Sequence, residues 1–421
     1  MPSFLILCLT NFMMAIGHGM VAPVLPIYAK SFGVSVTEVG FIMTSYALAR
    51  VFFDLPAGFS SQRFGMAKVL SAALVITIVS VLMLGLVRSF WVFIFWRFWQ
   101  GVGSALFTTP ALAGVVDQSP PERMARNIAF FQGFHHLGTS CGPTVGGWVA
   151  EALGYRAPFF FFAGAMIIGA VLVIISLRSW PRPHFQRAQG EGISEPGLRN
   201  MEEPPASVRL KGRKEIHPGA LKSMVGVFTN WQFVLIAAVE FVIFFARAGG
   251  QLTIVPLLGS GELGLKVSQV GTALTLTSAG QLCSMYAAGW LGDRFGVKKV
   301  LVPSIMIAGL SYFFFSISRD YSTYLGSAVL LGIGKGFGGP LPVAYAAQIR
   351  GAVSFSVVMG ALRFSGDVGL VIGPLVLGLV SDMAGYREAL MLNGLLLGGI
   401  MVVFALLASK SAPAHTKTGV S

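Results

Sequence analysis

The residues of this chain that could do chemistry are charged side chains set inside long apolar runs. Arg50 and Asp54 stand four residues apart, as do Arg363 and Asp367, so each pair shares one face of a helix. Arg97, Glu240, Arg247 and Lys335 occupy three further apolar runs, Glu240 and Arg247 sharing one. A carboxyl in such a place can bind a proton or a cation, and a guanidinium or ammonium can hold an anion or fix a carboxylate. On insertion scales each charge costs about 3 kcal/mol at the centre of a bilayer, so its retention points to function. No nucleophile triad, metal spacing or cofactor fingerprint accompanies them. Cys8, Cys141 and Cys283 fall singly in apolar runs and read as small packing residues. The chain is therefore expected to hold no metal and no cofactor and not to be an enzyme.

The elements that position these charges follow from composition. With 54% hydrophobic and 11% charged residues and a mean hydropathy of +0.74 over 421 residues, the chain carries more apolar surface than one soluble core can hide. Its solvent is lipid, where backbone groups must be satisfied internally, so the apolar runs are helices. Helices are predicted near 4–27, 38–57, 69–87, 90–115, 128–152, 157–177, 230–257, 267–288, 300–318, 323–347, 355–380 and 388–408. Residues 1–177 form one six-helix bundle and 229–409 another, joined by a flexible linker at 178–228 that is rich in Pro, Gly, Arg and Glu, with a tail at 410–421. The first run lacks a basic leader and a small-residue cleavage site and reads as a retained helix.

The net charge of +13 comes with no basic recognition helix and no RNA-binding motif, so no nucleic-acid partner is expected. It is distributed by side instead. One set of connections carries Arg63, Lys68, Arg123, Arg126, Arg294, Lys298, Lys299, Arg350, Lys410 and Lys417 besides the basic linker, and the other carries Lys30, Arg88, Arg156, Lys266, Arg319 and Arg387. The more basic side, with both termini, is expected to be cytoplasmic.

The two bundles are copies. "GFSSQRFGMAK", Gly58 to Lys68, returns 231 residues later as "GWLGDRFGVKK", Gly289 to Lys299, with Arg63, Gly65 and Lys68 answered by Arg294, Gly296 and Lys299, and Lys298 beside the last. Gly142-Pro143 and Gly373-Pro374 keep the same offset, as do Gly154-Tyr155-Arg156 and Gly385-Tyr386-Arg387. Gly138, Gly142 and Gly146 recur every fourth residue and lay a groove along helix 5 for a close neighbour, with Gly147 beside it and Pro143 bending it. Gly369, Gly373 and Pro374 repeat the device on helix 11. The run "GIGKGFGG", Gly332 to Gly339, has spacing like a phosphate loop but follows no strand and lacks the Lys-Ser/Thr ending, so it reads as a helix-packing face.

Together these motifs, with "GHGMVAPVLPIY" (Gly17 to Tyr28), "RFWQGVGSA" (Arg97 to Ala105) and "GTSCGPTVGG" (Gly138 to Gly147), resemble the drug:proton antiporter branch of the major facilitator superfamily over nearly the whole chain. The resemblance implies an all-α integral membrane fold of about twelve transmembrane helices in two pseudo-symmetric bundles, acting as a monomer in a lipid bilayer and exporting a small molecule in exchange for protons. An importer or uniporter on the same fold and a non-transporting membrane sensor are the alternatives. Compact loops and the lack of an N-x-S/T sequon suit a bacterial inner membrane. Where the second loop copy has Asp293, the first has Gln62, losing an acid that in the family often ties this loop to helix 11.

The resemblance also implies that helices 1, 4, 7 and 10 line a cavity. Asn11, His18, Gln100, Phe244, Arg247, Gln251 and Lys335 are then substrate candidates, and Glu240, Asp54 and Arg97 proton-coupling candidates. Helices 2 and 11 are expected to face each other, so that Asp54 with Arg363, and Arg50 with Asp367, close an inner gate. The alternative is that each pair satisfies itself within its own helix. The positive balance of Arg97, Arg247 and Lys335 against Glu240 points to an anionic or zwitterionic substrate.

Overall fold

A computed structural model describes residues 2–120, 123–177, 227–349 and 355–408. The tail expected at 410–421, and the linker except for its last two residues, lie outside the described residues. Helices follow one another as α1 Pro2–Lys30, α2 Val36–Phe64, α3 Met66–Leu86, α4 Phe90–Asp117, α5 Met124–Leu153 and α6 Ala157–Leu177. The second half runs α7 Trp231–Glu262, α8 Val267–Phe295, α9 Val297–Ile317, α10 Tyr321–Lys335 with its continuation Pro340–Ile349, α11 Phe355–Ala384 and α12 Tyr386–Leu407. No strand occurs among the described residues. Eight of these helices are long and apolar enough to cross a membrane by length and composition alone. The others are α4, with Arg97 and Gln100; α5 and α8, diluted by Gly, Ser and Thr; and α10, which is interrupted.

Local signals set the ends. The basic motif expected as a short turn is helical up to Phe64, and a single residue, Gly65 at φ 86°, turns the chain into α3. Gly296 at φ 89° does the same between α8 and α9. Only glycine takes this backbone at no cost in strain. At the opposite end, Ser35 and Glu38 cap the start of α2 reciprocally, at 3.1 and 2.7 Å.

Two hydrophobic cores form, one per half. They trade one residue each. Val36, which opens α2, is buried in the second core, and Val267, which opens α8 at the equivalent place, is buried in the first. The glycine groove of α5 receives α1: a Cβ at Gly138, Gly142 or Gly146 would meet Ala15, Gly19 or Met20. Gly369 and Gly373 on α11 likewise receive Phe241 and Phe245 of α7.

Two helices depart from the expected continuous form. In α7 the hydrogen bonding widens to a π-helix over Ala246–Ile254 and again over Leu258–Glu262. In α10, expected unbroken over 323–347, the helix stops at Lys335 and resumes at Pro340. Proline supplies no backbone N–H and its ring excludes the preceding helical turn, so a glycine-rich stretch before Pro340 is where α10 yields. The glycines of this stretch still pack tightly, Gly332 and Gly336 against α8 and Gly334 against α9.

Candidate functional site

The two halves meet through α2 on α11 and α5 on α8, and the contacts gather at one end, away from the start of α1 and the finish of α12. A Cβ on Gly40 would strike the Pro374 carbonyl, and one on Gly271 the Pro143 carbonyl. These contacts are equivalents under the 231-residue offset. Thr44 donates to the Val371 carbonyl at 2.7 Å, and the Thr144 and Thr275 hydroxyls are 2.8 Å apart.

Carboxylates finish the seal. Asp382 of α11 accepts from the Val36 and Thr37 amides, both at 2.8 Å, and from the Thr37 hydroxyl at 2.6 Å. An acid of one half thereby caps the exposed N–H groups of the other half's helix, where a negative charge is favoured. Glu151 of α5 takes the equivalent place, accepting from the Ser268 hydroxyl and pairing with Lys266 at 3.1 Å. Sequence reading missed both acids, because a carboxylate at a helix end looks like a solvated loop charge. Only the repeat could have found them, since Asp382 and Glu151 keep the same offset. Asp382→Ala is expected to loosen the seal modestly, since its site is solvent-exposed: about 1 kcal/mol, or a shift of about fivefold toward separated ends. The check is the distance between spin labels at Leu153 and Met383, exposed near the ends of α5 and α11, whose longer-distance population should rise by that factor relative to the shorter one.

The other end is open. Arg50 and Asp54 pair within α2 at 3.4 Å, each more than 30% exposed (38% and 34%), so the expected link from Asp54 to Arg363 is not made in this conformation. Arg50 and Asp367 interact electrostatically without forming an ion pair. Asp54 Oδ1 is left buried with no hydrogen-bond partner. Glu240 is buried on α7 close to Arg363 and Asp367 of α11, makes no ion pair among the described residues, and leaves its Oε2 without a donor. It is not tied to Arg247 or Lys335.

Between the two ends lie the remaining cavity candidates. Arg247 projects from the π segment of α7 and is exposed although Ala246 and Ala248 on either side are buried. It is near Arg50 of α2 and His135 and His136 of α5, all in the other half. His135 also lies 3.4 Å from Asn11 Oδ1. Asn11 donates to the Phe131 carbonyl at 3.0 Å and therefore also ties α1 to α5. Lys335, at the break in α10, hydrogen-bonds Gln251. Arg97 bonds Gln100 and stacks 4.5 Å from the centre of the Tyr46 ring, whose hydroxyl reaches Ser104 and His18 at 2.9 and 3.1 Å. Tyr46 was not among the expected residues. Phe244 lies against Gly366 of α11 and remains partly accessible.

The loop-motif residues stand apart from this region. Arg63 lies over the Phe64 ring and Arg294 over the Trp290 and Phe295 rings, while Lys298 donates to the Ala408 carbonyl just past α12 at 2.5 Å. Lys68, Gly289, Asp293 and Lys299 are exposed. The side chain of Gln62, and position 58, lie outside the residues whose packing is described.

Comparison with known proteins agrees with this architecture. The chain is 24% identical over 381 residues to an uncharacterized MFS-type transporter of Methanocaldococcus jannaschii, covering 90% of this chain and 91% of the relative. It is 24% identical over 396 residues to the quinolone resistance protein NorA of Staphylococcus aureus, covering 93% of each. Among solved structures it matches a mutant form of the nucleoside transporter NupG (TM-score 0.71, 14% identity, 96% of this chain and 98% of the other). It also matches a bacterial homolog of the human lysosomal transporter Spinster, in an inward-facing and unoccupied conformation (TM-score 0.72, 16% identity, 98% of each). The family model of the Major Facilitator Superfamily matches residues 7–260 and 237–420. With twelve helices in two equivalent bundles, sealed at one end and open at the other, where Glu240 is unpaired among the described residues, this chain belongs to the Major Facilitator Superfamily as an integral membrane transporter, not an enzyme.

Proposed function

We propose that this transporter exports a small organic compound by alternating access in exchange for protons, and that Glu240 carries the proton. The observation behind this reading is the buried Glu240 carboxyl, which has an oxygen no donor meets and lies beside Arg363 and Asp367 in the open end. A buried carboxyl left unpaired holds a proton more readily than a bare charge. A relative over 93% of the chain is named for quinolone resistance, which supports the outward direction. The free Asp54 Oδ1 supports the gate expected from the sequence. When the halves close at this end, Asp54 meets Arg363 and Arg50 meets Asp367, while the seal at the other end parts. The basic asymmetry supports a cytoplasmic location for the open end and both termini. A monomer in a bacterial inner membrane completes the reading.

The test is internal pH in acid-loaded proteoliposomes as cationic, neutral and anionic compounds are added to the native protein and to Glu240→Gln. Compound-dependent alkalinisation is expected in the native protein, falling to the protein-free background in the variant. Compounds crossing without moving protons would replace antiport by uniport, and an unchanged variant would remove Glu240 from the coupling role.

A further inference from the structure

Positive charge in the middle of the molecule is not balanced by acid. Asp54 and Asp367 are near Arg50, and Asp367 and Arg363 are near Glu240, so the carboxylates gather toward the open end. Among the described residues Arg247 has no such partner. The cations near it are Arg50 and Lys335, and the other polar groups close to it are the His135 and His136 imidazoles and the Tyr46 and Tyr312 hydroxyls. Lys335 bonds only the Gln251 amide oxygen among the described residues, and Arg247, Lys335 and Tyr312 border one narrow crevice within the second half, with room for about one water. Behind Tyr46, the buried Arg97 Nε and Gln100 Nε2 are donors without acceptors. Donors and cations from both halves thus converge where acceptors are missing.

We propose that this region is an oxyanion site, in which the carboxylate, sulfonate or phosphate group of a small organic substrate sits against Arg247, between it and the His135–His136 face of α5. Arg247 projects from the widened turn of α7, while Ala248, Gly249 and Gly250 beside it stay buried. An anion bound there touches both halves at once and is held by charge-assisted hydrogen bonds. The transport reading is needed only to make that anion the cargo; the site itself rests on the arrangement of charges.

The test measures the site's potential with reagents of opposite charge. In protein with Cys8, Cys141 and Cys283 replaced by Ser, a thiol is introduced by Thr139→Cys, one turn beyond His135 and His136 on α5. It is reacted with 2-sulfonatoethyl and with 2-(trimethylammonio)ethyl methanethiosulfonate. The ratio of the two rates, divided by that for a free thiol, cancels any change in the thiol itself. A ratio about tenfold in favour of the sulfonate is expected, as is usual where a charged cleft concentrates ligand. Arg247→Gln should lower the ratio at least about threefold and Arg247→Lys should keep most of it. 2-Naphthoate should protect the thiol where 2-naphthamide does not. A ratio at or below that of the free thiol, no response to Arg247→Gln, or equal protection by the amide overturns the site, and protection by inorganic sulfate as strong as by naphthoate overturns its assignment to an organic anion. If the charge preference holds while no compound moves in the vesicle assay, the transport reading fails and the anion site stands. If protons and neutral compounds move without a charge preference, the reverse holds.

Discussion

Gly146→Leu is expected to yield little or no folded protein. The first added carbon would land on the backbone of Met20 in α1, and neither helix can move without opening the core they share. Overpacking of a filled core costs about 1–3 kcal/mol even where flexible side chains can yield, and a backbone neighbour puts this site at the top of that range or beyond. Against a total stability of about 5–15 kcal/mol, about 3 kcal/mol alone would leave the chain folded, so the loss expected here comes from the part of the clash that two packed backbones cannot relieve. Monodisperse protein on size exclusion and the melting temperature are the measurements. Gly133→Leu, on the same helix with nothing within 4 Å of its Cβ position, should behave as the parent. Equal yields from the two variants would show that α1 and α5 do not need their close approach.

Gly271→Leu makes the same chemical change with the opposite expected result. The group its side chain would strike, the Pro143 carbonyl, belongs to the other half, so the clash is relieved when the halves separate. The protein should fold and melt near the parent temperature but be unable to hold the seal. A penalty of about 1–3 kcal/mol on one conformation alone shifts the equilibrium about 5- to 150-fold toward the other. Spin labels at Leu153 and Met383, exposed positions at the sealed end of α5 and α11, would report it as a longer distance. Transport should slow by up to a similar factor, because a carrier must visit both states. Gly40→Leu, against Pro374, should reproduce the effect. Parent-like distances in both would mean that the contact is too soft to govern the equilibrium.

Helices, duplication and glycine grooves were legible in the sequence because each leaves a periodic trace: apolar length, a fixed offset of 231 residues, and small residues every fourth position. The widened turn in α7 was not, because Gly249 and Gly250 permit it without requiring it. The break in α10 was visible in the glycines before Pro340 but was outweighed by the apolar character of the run. For the site, residue types were readable and partners were not. Arg50 and Asp54 at four-residue spacing are compatible with a pair inside α2 or with a bridge to α11, and only the conformation decides. Asp382 and Glu151 escaped notice because their partners, backbone amides and hydroxyls of the opposite half, have no signature of their own. Tyr46 escaped because an aromatic on an apolar helix is normally core.

The unbroken course of α2 from Thr37 to Asp54 has a mechanical consequence. At 1.5 Å per residue, Thr37 lies about 10 Å from Thr44 and Asp54 about 15 Å from it in the other direction. With the Thr44 to Val371 contact as the pivot, α2 works as a lever with unequal arms, and the shorter arm carries the seal. Every ångström of separation at Thr37 becomes about one and a half at Asp54. A parting at the seal that only unseats Asp382 from two amides and a hydroxyl therefore swings Asp54 through a larger arc toward α11. On the alternating-access reading proposed above, the few hydrogen bonds at one rim would govern the opening at the other.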